Sequence, residues 1–177
     1  MTTILRFAPV LALTLLTAST AFAQGTLAAD LQQDWERQRD TIINAVDAMP
    51  EDKFSFKATP PQRDFGAHAM HIVEINQMLL ATLGAKTQAP NINLKATSKA
   101  DILAALRQSF DHGAAVLKEF SDQQLVARIA PPPFLGPSMS RVGVLSFLGQ
   151  HTMDTYGQIV VYLRLNGVVP PASRRGV

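Results

Sequence analysis

The chain has 177 residues, no cysteine, and a formal charge of +2 from sixteen basic and fourteen acidic side chains. Without cysteine there are no disulfides, thiol nucleophiles or thiolate ligands, so any metal must be held mainly by nitrogen and oxygen. The near-balanced charge carries no basic stripe and gives no electrostatic footprint for nucleic acid.

Residues 1–23 read as a signal peptide. Arg6 supplies a basic start, Phe7 to Leu16 an apolar run, and Ala21-Phe22-Ala23 an A-x-A cleavage site. Cleavage is expected between Ala23 and Gln24, with export to a bacterial periplasm or beyond. The alternative is an uncleaved anchor, for which the apolar run is short. No cysteine follows for lipid attachment, so residues 24–177 should form one domain with no stable membrane anchor.

Helical periodicity dominates that domain. Leu27, Leu31, Trp35, Gln38, Ile42, Val46 and Met49 recur every three or four residues, which marks one face of a long helix. Thr26 should cap this helix and Pro50 should end it. Residues 50–64 hold three prolines and predict a crossing loop, with Phe54 and Phe56 tucked onto the bundle. A second helix is expected from Phe65 to Leu83, stopped by Gly84, and a polar connection from Ala85 to Thr97.

A third helix begins near Ser98, with Asp101 placed as an acidic variant of the capping box. Its apolar face is Ile102, Leu106, Phe110, Ala114, Leu117 and Phe120. Residues 121–126 predict a short extra helix, and 130–138, with four prolines and a glycine, an irregular loop. The last long helix runs from about Arg141 to Asn166, and Gly167 and Pro170-Pro171 prevent its continuation. Four long amphipathic helices with little strand signal predict an all-α four-helix bundle with long crossing loops.

Three of the four histidines lie in two of these helices. On a wheel of about 100° per residue, His68 falls at the edge of the second helix's apolar arc, His71 beyond it and Glu74 further out. Without a metal, His68 and His71 read as one buried, hydrogen-bonded histidine beside one surface histidine. In the last helix Val144, Leu148, His151, Thr155, Ile159 and Tyr162 share one arc, so His151 is expected to point inward with Thr155 one turn on and Asp154 beside them. A buried histidine needs partners for its ring nitrogens; a metal or a core hydrogen bond can supply one.

The remaining candidates are weaker. Asp111-His112 lies off the apolar arc and reads as solvated surface. Met70, Met78, Met139 and Met153 do not converge at any regular spacing and read as packing residues. Ser138 and Ser140 lack a His–Asp pattern, and no glycine-rich phosphate loop is present. A ferritin-like carboxylate site needs Glu-x-x-His pairs on two helices, but the order at His71-x-x-Glu74 is reversed and the last helix carries no glutamate.

Taken together, Trp35, the run Met49-Pro50-Glu51-Asp52-Lys53-Phe54, Phe65-Gly66 before His71, and Tyr156-Gly157-Gln158 through Tyr162-Leu163-Arg164 to Pro170-Pro171 resemble the DinB-like (damage-inducible) four-helix-bundle superfamily. The resemblance covers the whole domain. It implies a metal site built from one histidine of the second helix and two, at i and i+4, of the last. Residue by residue that gives His71 and His151, with the third ligand at position 155, where this chain has Thr155. Two imidazoles and a neutral hydroxyl make a poor zinc site, and His68 or Asp154 stands near enough in sequence to substitute.

The resemblance therefore implies a divalent ion, zinc, nickel or similar, at low occupancy. It also implies a metal-dependent hydrolase or transferase acting on a small molecule, and homodimers are common in the family it resembles. Thiol-dependent transferases of the family use cytosolic thiols, and export argues against that chemistry. The alternative is a non-catalytic periplasmic bundle that keeps the pocket and binds a small molecule or a partner.

Overall fold

The structure is a computed structural model that describes residues 26–174; the expected signal peptide and the last three residues lie outside them. Four long helices carry the fold: α1 (Leu27–Ala48), α2 (Phe65–Leu80), α3 (Lys99–Leu117) and α5 (Arg141–Leu165), with a short α4 (Asp122–Val126) before the last. Each long helix starts where a side chain can satisfy an orphan backbone N–H. Thr26, Asp64, Ser98 and Ser140 accept from the N–H groups of Ala29, Ala67, Asp101 and Gly143. The Ser98 hydroxyl also donates to the Asp101 carboxylate, whereas the reciprocal capping box closes at Ser121 and Gln124. Gly84 and Gly167 lie in left-handed backbone at φ 74° and 73°, a conformation only glycine adopts freely, and each stands just past a helix end.

Inter-helix contacts fix the directions. α1 and α2 each pack on both α3 and α5, so α1 and α2 stand at diagonal corners. Residues 50–64 must therefore cross the end of the bundle, and their Phe54 and Phe56 pack onto the core. Arg141 Nε donates to the Leu83 carbonyl, and Tyr162 OH donates at 2.7 Å to the Arg63 carbonyl, so α2 and α5 are antiparallel. Along α2 and α3 the neighbours ascend together. Gly66 lies by Ile102 and Asn76 donates to Ser109 Oγ, while just past α2 the Lys86 N–H reaches the Glu119 carboxylate beyond α3. The two helices are thus parallel, and residues 85–97 climb the length of the bundle between them, anchored by the buried Ile92 and Ala96.

The core contains the predicted faces. Trp35 is 5 % exposed, lies against Phe110, and donates its Nε1–H to the Phe110 carbonyl at 2.8 Å. Ile42, Val46, Met49, Ile102, Leu106, Leu148 and Ile159 are buried around it. The loop between α4 and α5 holds one element that periodicity did not indicate. Arg128–Ile129 pairs antiparallel with Met139–Ser140, closing the proline-rich excursion as a two-residue ladder.

His112 also differs from its sequence reading. It is buried rather than solvated, because the climbing 85–97 connection passes over α3 and Thr87, Gln88 and Pro90 line the same hollow. Asp111 stays exposed and pairs with Arg39 at 3.4 Å. No helix among the described residues is long and apolar enough to cross a membrane.

Candidate metal centre

The antiparallel register of α2 on α5 brings two of the predicted ligands together. His71 Nε2 and His151 Nε2 are 3.1 Å apart, with ring planes at 77° and centroids 5.0 Å apart. Each ring is braced from outside the pair. His71 Nδ1 faces Glu74 Oε2 at 3.5 Å, one helical turn on. His151 lies parallel to the ring of Phe147, centroids 6.3 Å apart, also one turn away. Braced this way, the two rings can share one proton between their Nε2 atoms: one N–H donates and the other nitrogen accepts.

The same register places Thr155 opposite His68 on the inner side. Thr155 is buried, and its hydroxyl donates at 3.1 Å to the His151 carbonyl of its own helix. That back-bond satisfies the hydroxyl within α5. His68 is 3 % exposed, packs edge-on to Tyr162 with centroids 5.0 Å apart, and leaves its Nε2 buried without a hydrogen-bond partner. It does not join the His71–His151 pair. Asp154 is exposed and accepts from Gln158, so it also stays away from the pair. Within α5 the buried residue of this turn is Thr152, and His151 is only partly buried at the α2 seam. The wheel had set His151 squarely on the inner arc.

Burial, followed by the positive field of nearby groups, holds His151 below the usual histidine range. Desolvation comes first, then His71; Asp154 acts in the other direction, and Arg63 adds to the lowering. His68 is lowered in the same way, by burial first and then by Arg63 and His71. Both are therefore neutral imidazoles at neutral pH, the form that offers a lone pair to a metal.

The donor set can be compared with what a metal needs. Two imidazole nitrogens at tetrahedral corners about 2.0–2.1 Å from one zinc stand about 3.3–3.4 Å apart. The observed 3.1 Å is close to that spacing. The carboxylate of Glu74 lies on the far ring nitrogen of His71, where a carboxylate commonly orients a metal-ligating histidine. Among the described residues, however, no group of three or more His, Asp or Glu gathers as a metal cluster. The residues fit a two-nitrogen centre with open positions, not a closed three-ligand site.

A cleft lies on the other flank of α2. It has a volume of about 400 Å³, and its wall includes Arg63, Asp64, Met70, Glu74 and Lys95. Glu74 is common to both places, since its carboxylate faces His71 Nδ1. Neither Arg63 nor Lys95 stood out in the sequence. They carry no motif, and only the convergence of residues 54–67 with residues 94–102 brings them to one hollow.

Solved structures share this bundle. A DinB-like protein from Bacillus cereus is 22 % identical, with a TM-score of 0.72 over 86 % of this chain and 97 % of its own. A DinB-like protein from Bacillus subtilis is 15 % identical, with a TM-score of 0.66 over 84 % and 99 %. YfiT from Bacillus subtilis, described as a "probable metal-dependent hydrolase with an unusual four-helix bundle topology", is also 15 % identical, with a TM-score of 0.63 over 80 % and 88 %. At these identities the likeness establishes the fold. No protein of curated function matches the chain. The family model described as the DinB superfamily matches residues 34–159, most of the bundle with both histidine-bearing helices, and the chain belongs to that superfamily.

Proposed function

We propose that this chain is an exported DinB-superfamily protein whose His71–His151 pair is a weak divalent-metal centre of hydrolase type, acting on a small molecule. The observation that carries the reading is the 3.1 Å approach of the two Nε2 atoms from different helices. The description of the structurally similar YfiT as a probable metal-dependent hydrolase supports the reaction class. The export signal at residues 1–23 supports the compartment. A divalent ion there would act as a Lewis acid and lower the pKa of water. His71 and His151 would hold it, and Glu74 would fix the tautomer and orientation of His71 from its Nδ1 side. Phe147 would keep water from one face of His151.

A second reading has its own observation. The Thr155 hydroxyl is already engaged by the His151 carbonyl, so the third position offers no strong donor. On that reading the bundle is a non-catalytic module that keeps the pocket and binds a small molecule or a partner.

Calorimetric titration of untagged protein with Zn²⁺ and Ni²⁺ separates the two. Wild type should bind weakly, Thr155→His should bind at least tenfold tighter, and His151→Ala should lose binding. If Thr155→His binds neither ion, or if His151→Ala binds as well as wild type, the metal reading is wrong and the binding-module reading stands.

A further inference from the structure

We infer that the cleft beside α2 is a binding site for a small organic carboxylate with an apolar body. The inference does not depend on whether His71 and His151 hold a metal. The cleft is about 400 Å³, large enough for such a molecule, and three chain segments converge on it. One stripe of α2, Gly66, Met70 and Glu74, forms its floor at helical spacing. The crossing loop brings Phe54, and the start of α3 brings Ile102, so the inner wall is apolar.

The charges at this cleft are not balanced in their commitments. Its two carboxylates are engaged. Asp64 Oδ1 accepts the Ala67 N–H at 2.7 Å as the cap of α2, and Glu74 is turned to His71 Nδ1. Its two cations, Arg63 and Lys95, are in no ion pair among the described residues. Their backbones are nonetheless held. The Arg63 carbonyl takes the Tyr162 hydroxyl proton at 2.7 Å. The Lys95 N–H is bound by Asn93 Oδ1 at 3.0 Å, next to the buried Ala96. Two exposed cations on pinned backbones, facing a pocket with an apolar inner wall and carboxylates that each already hold a partner, suit an anionic head with an apolar tail. A guanidinium can grip a carboxylate with two parallel hydrogen bonds, and an ammonium adds a point charge.

The test uses ligand-observed NMR and calorimetry on chelator-treated, full mature protein, with hexanoate as the probe. Hexanol, hexylamine and inorganic phosphate serve as comparisons. Hexanoate should bind at least tenfold tighter than any of the three, and its affinity should fall as salt is raised. Arg63→Gln and Lys95→Gln should each weaken it about tenfold or more, as loss of a charge-assisted hydrogen bond does. Both side chains are exposed, so unchanged circular dichroism should accompany the loss. Lys95→Glu should turn the preference toward hexylamine. Equal binding of hexanol, or of phosphate, overturns the inference, the first because the cations do no selecting and the second because the apolar wall does none. No saturation by hexanoate below about 10 mM also overturns it. Because metal is removed beforehand, none of these outcomes bears on the zinc and nickel titration.

Discussion

Gly113→Ala should destabilise this protein, although replacing a mid-helix glycine by alanine normally helps. An ideal Cβ at Gly113 would come within 2.5 Å of Trp35 Cε2, and closer still to Cζ2. Trp35 cannot easily retreat, being 5 % exposed, packed on Phe110 and tied to its carbonyl. Overpacking of this kind costs about 1–3 kcal/mol. If the indole moves, its buried hydrogen bond is lost as well, for about another 1 kcal/mol. Against this, alanine gains about 1 kcal/mol of helix propensity. The net expectation is a loss of about 1–3 kcal/mol, or a melting point lower by several degrees at about 2–4 °C per kcal/mol for a domain of this size. Urea unfolding followed by the fluorescence of Trp35, the single tryptophan, measures it directly. Gly157→Ala is the internal control. Gly157 lies in α5, and nothing stands within 4 Å of its added Cβ, so it should gain about 0.5–1 kcal/mol. If Gly113→Ala is as stable as wild type with unchanged emission, the close packing of α1 on α3 at Trp35 is wrong.

Two further expectations concern pH. Glu119 accepts from the Lys86 and Thr87 N–H groups and from the Thr87 hydroxyl, and these bonds hold its carboxyl below the ordinary value of 4.5. Its contribution is therefore present above that value and lost as pH falls through the lowered one, so urea midpoints between pH 6 and pH 3 should fall less steeply in Glu119→Gln; parallel slopes would refute this. His68 is lowered by burial from 6.5, so the unfolded chain takes up its proton first. Stability should be full above 6.5 and decline on acidification, and His68→Gln should flatten that decline in melts from pH 7.5 to 5.5. A slope unchanged by the substitution would show that the proton is taken up elsewhere.

The sequence legibly specified the helices, because their caps and apolar faces are local. Thr26, Ser98, Gly84 and Gly167 do what their chemistry requires, and Trp35 is buried as its arc demanded. Direction was not legible. Nothing local says that α2 and α3 run parallel; the 85–97 connection reads as polar, yet it has to climb the bundle. That climb is what buries His112, a residue whose wheel position pointed to solvent. Asn76 is buried in α2, and its reason appears only with Ser109 of the neighbouring helix, which takes its amide proton. The cleft cations were invisible for the same reason, since Arg63 and Lys95 meet only through three distant segments.

The histidine pair shows how far a wheel can go. A wheel ranks His71 and His151 by angle about their own axes, but their meeting depends on the axial register of two helices. That register is set elsewhere, by Tyr162 on the Arg63 carbonyl at one end and Arg141 on the Leu83 carbonyl at the other. With both ends fixed, antiparallel residues pair in order, so His151 meets His71 and Thr155 falls across from His68. Thr155, at the position where the resemblance implies an imidazole, has a local solution. The hydroxyl bonds its own helix and needs nothing from α2. His68 has no such solution, and an unpaired buried ring nitrogen costs about 1–3 kcal/mol. Glu74 and Phe147 flank the pair on its outer sides. Its geometry follows from the register of α2 on α5, which the two end contacts set. An ion bound there would add stability in proportion to its affinity, so a weak centre would add little to what the core supplies.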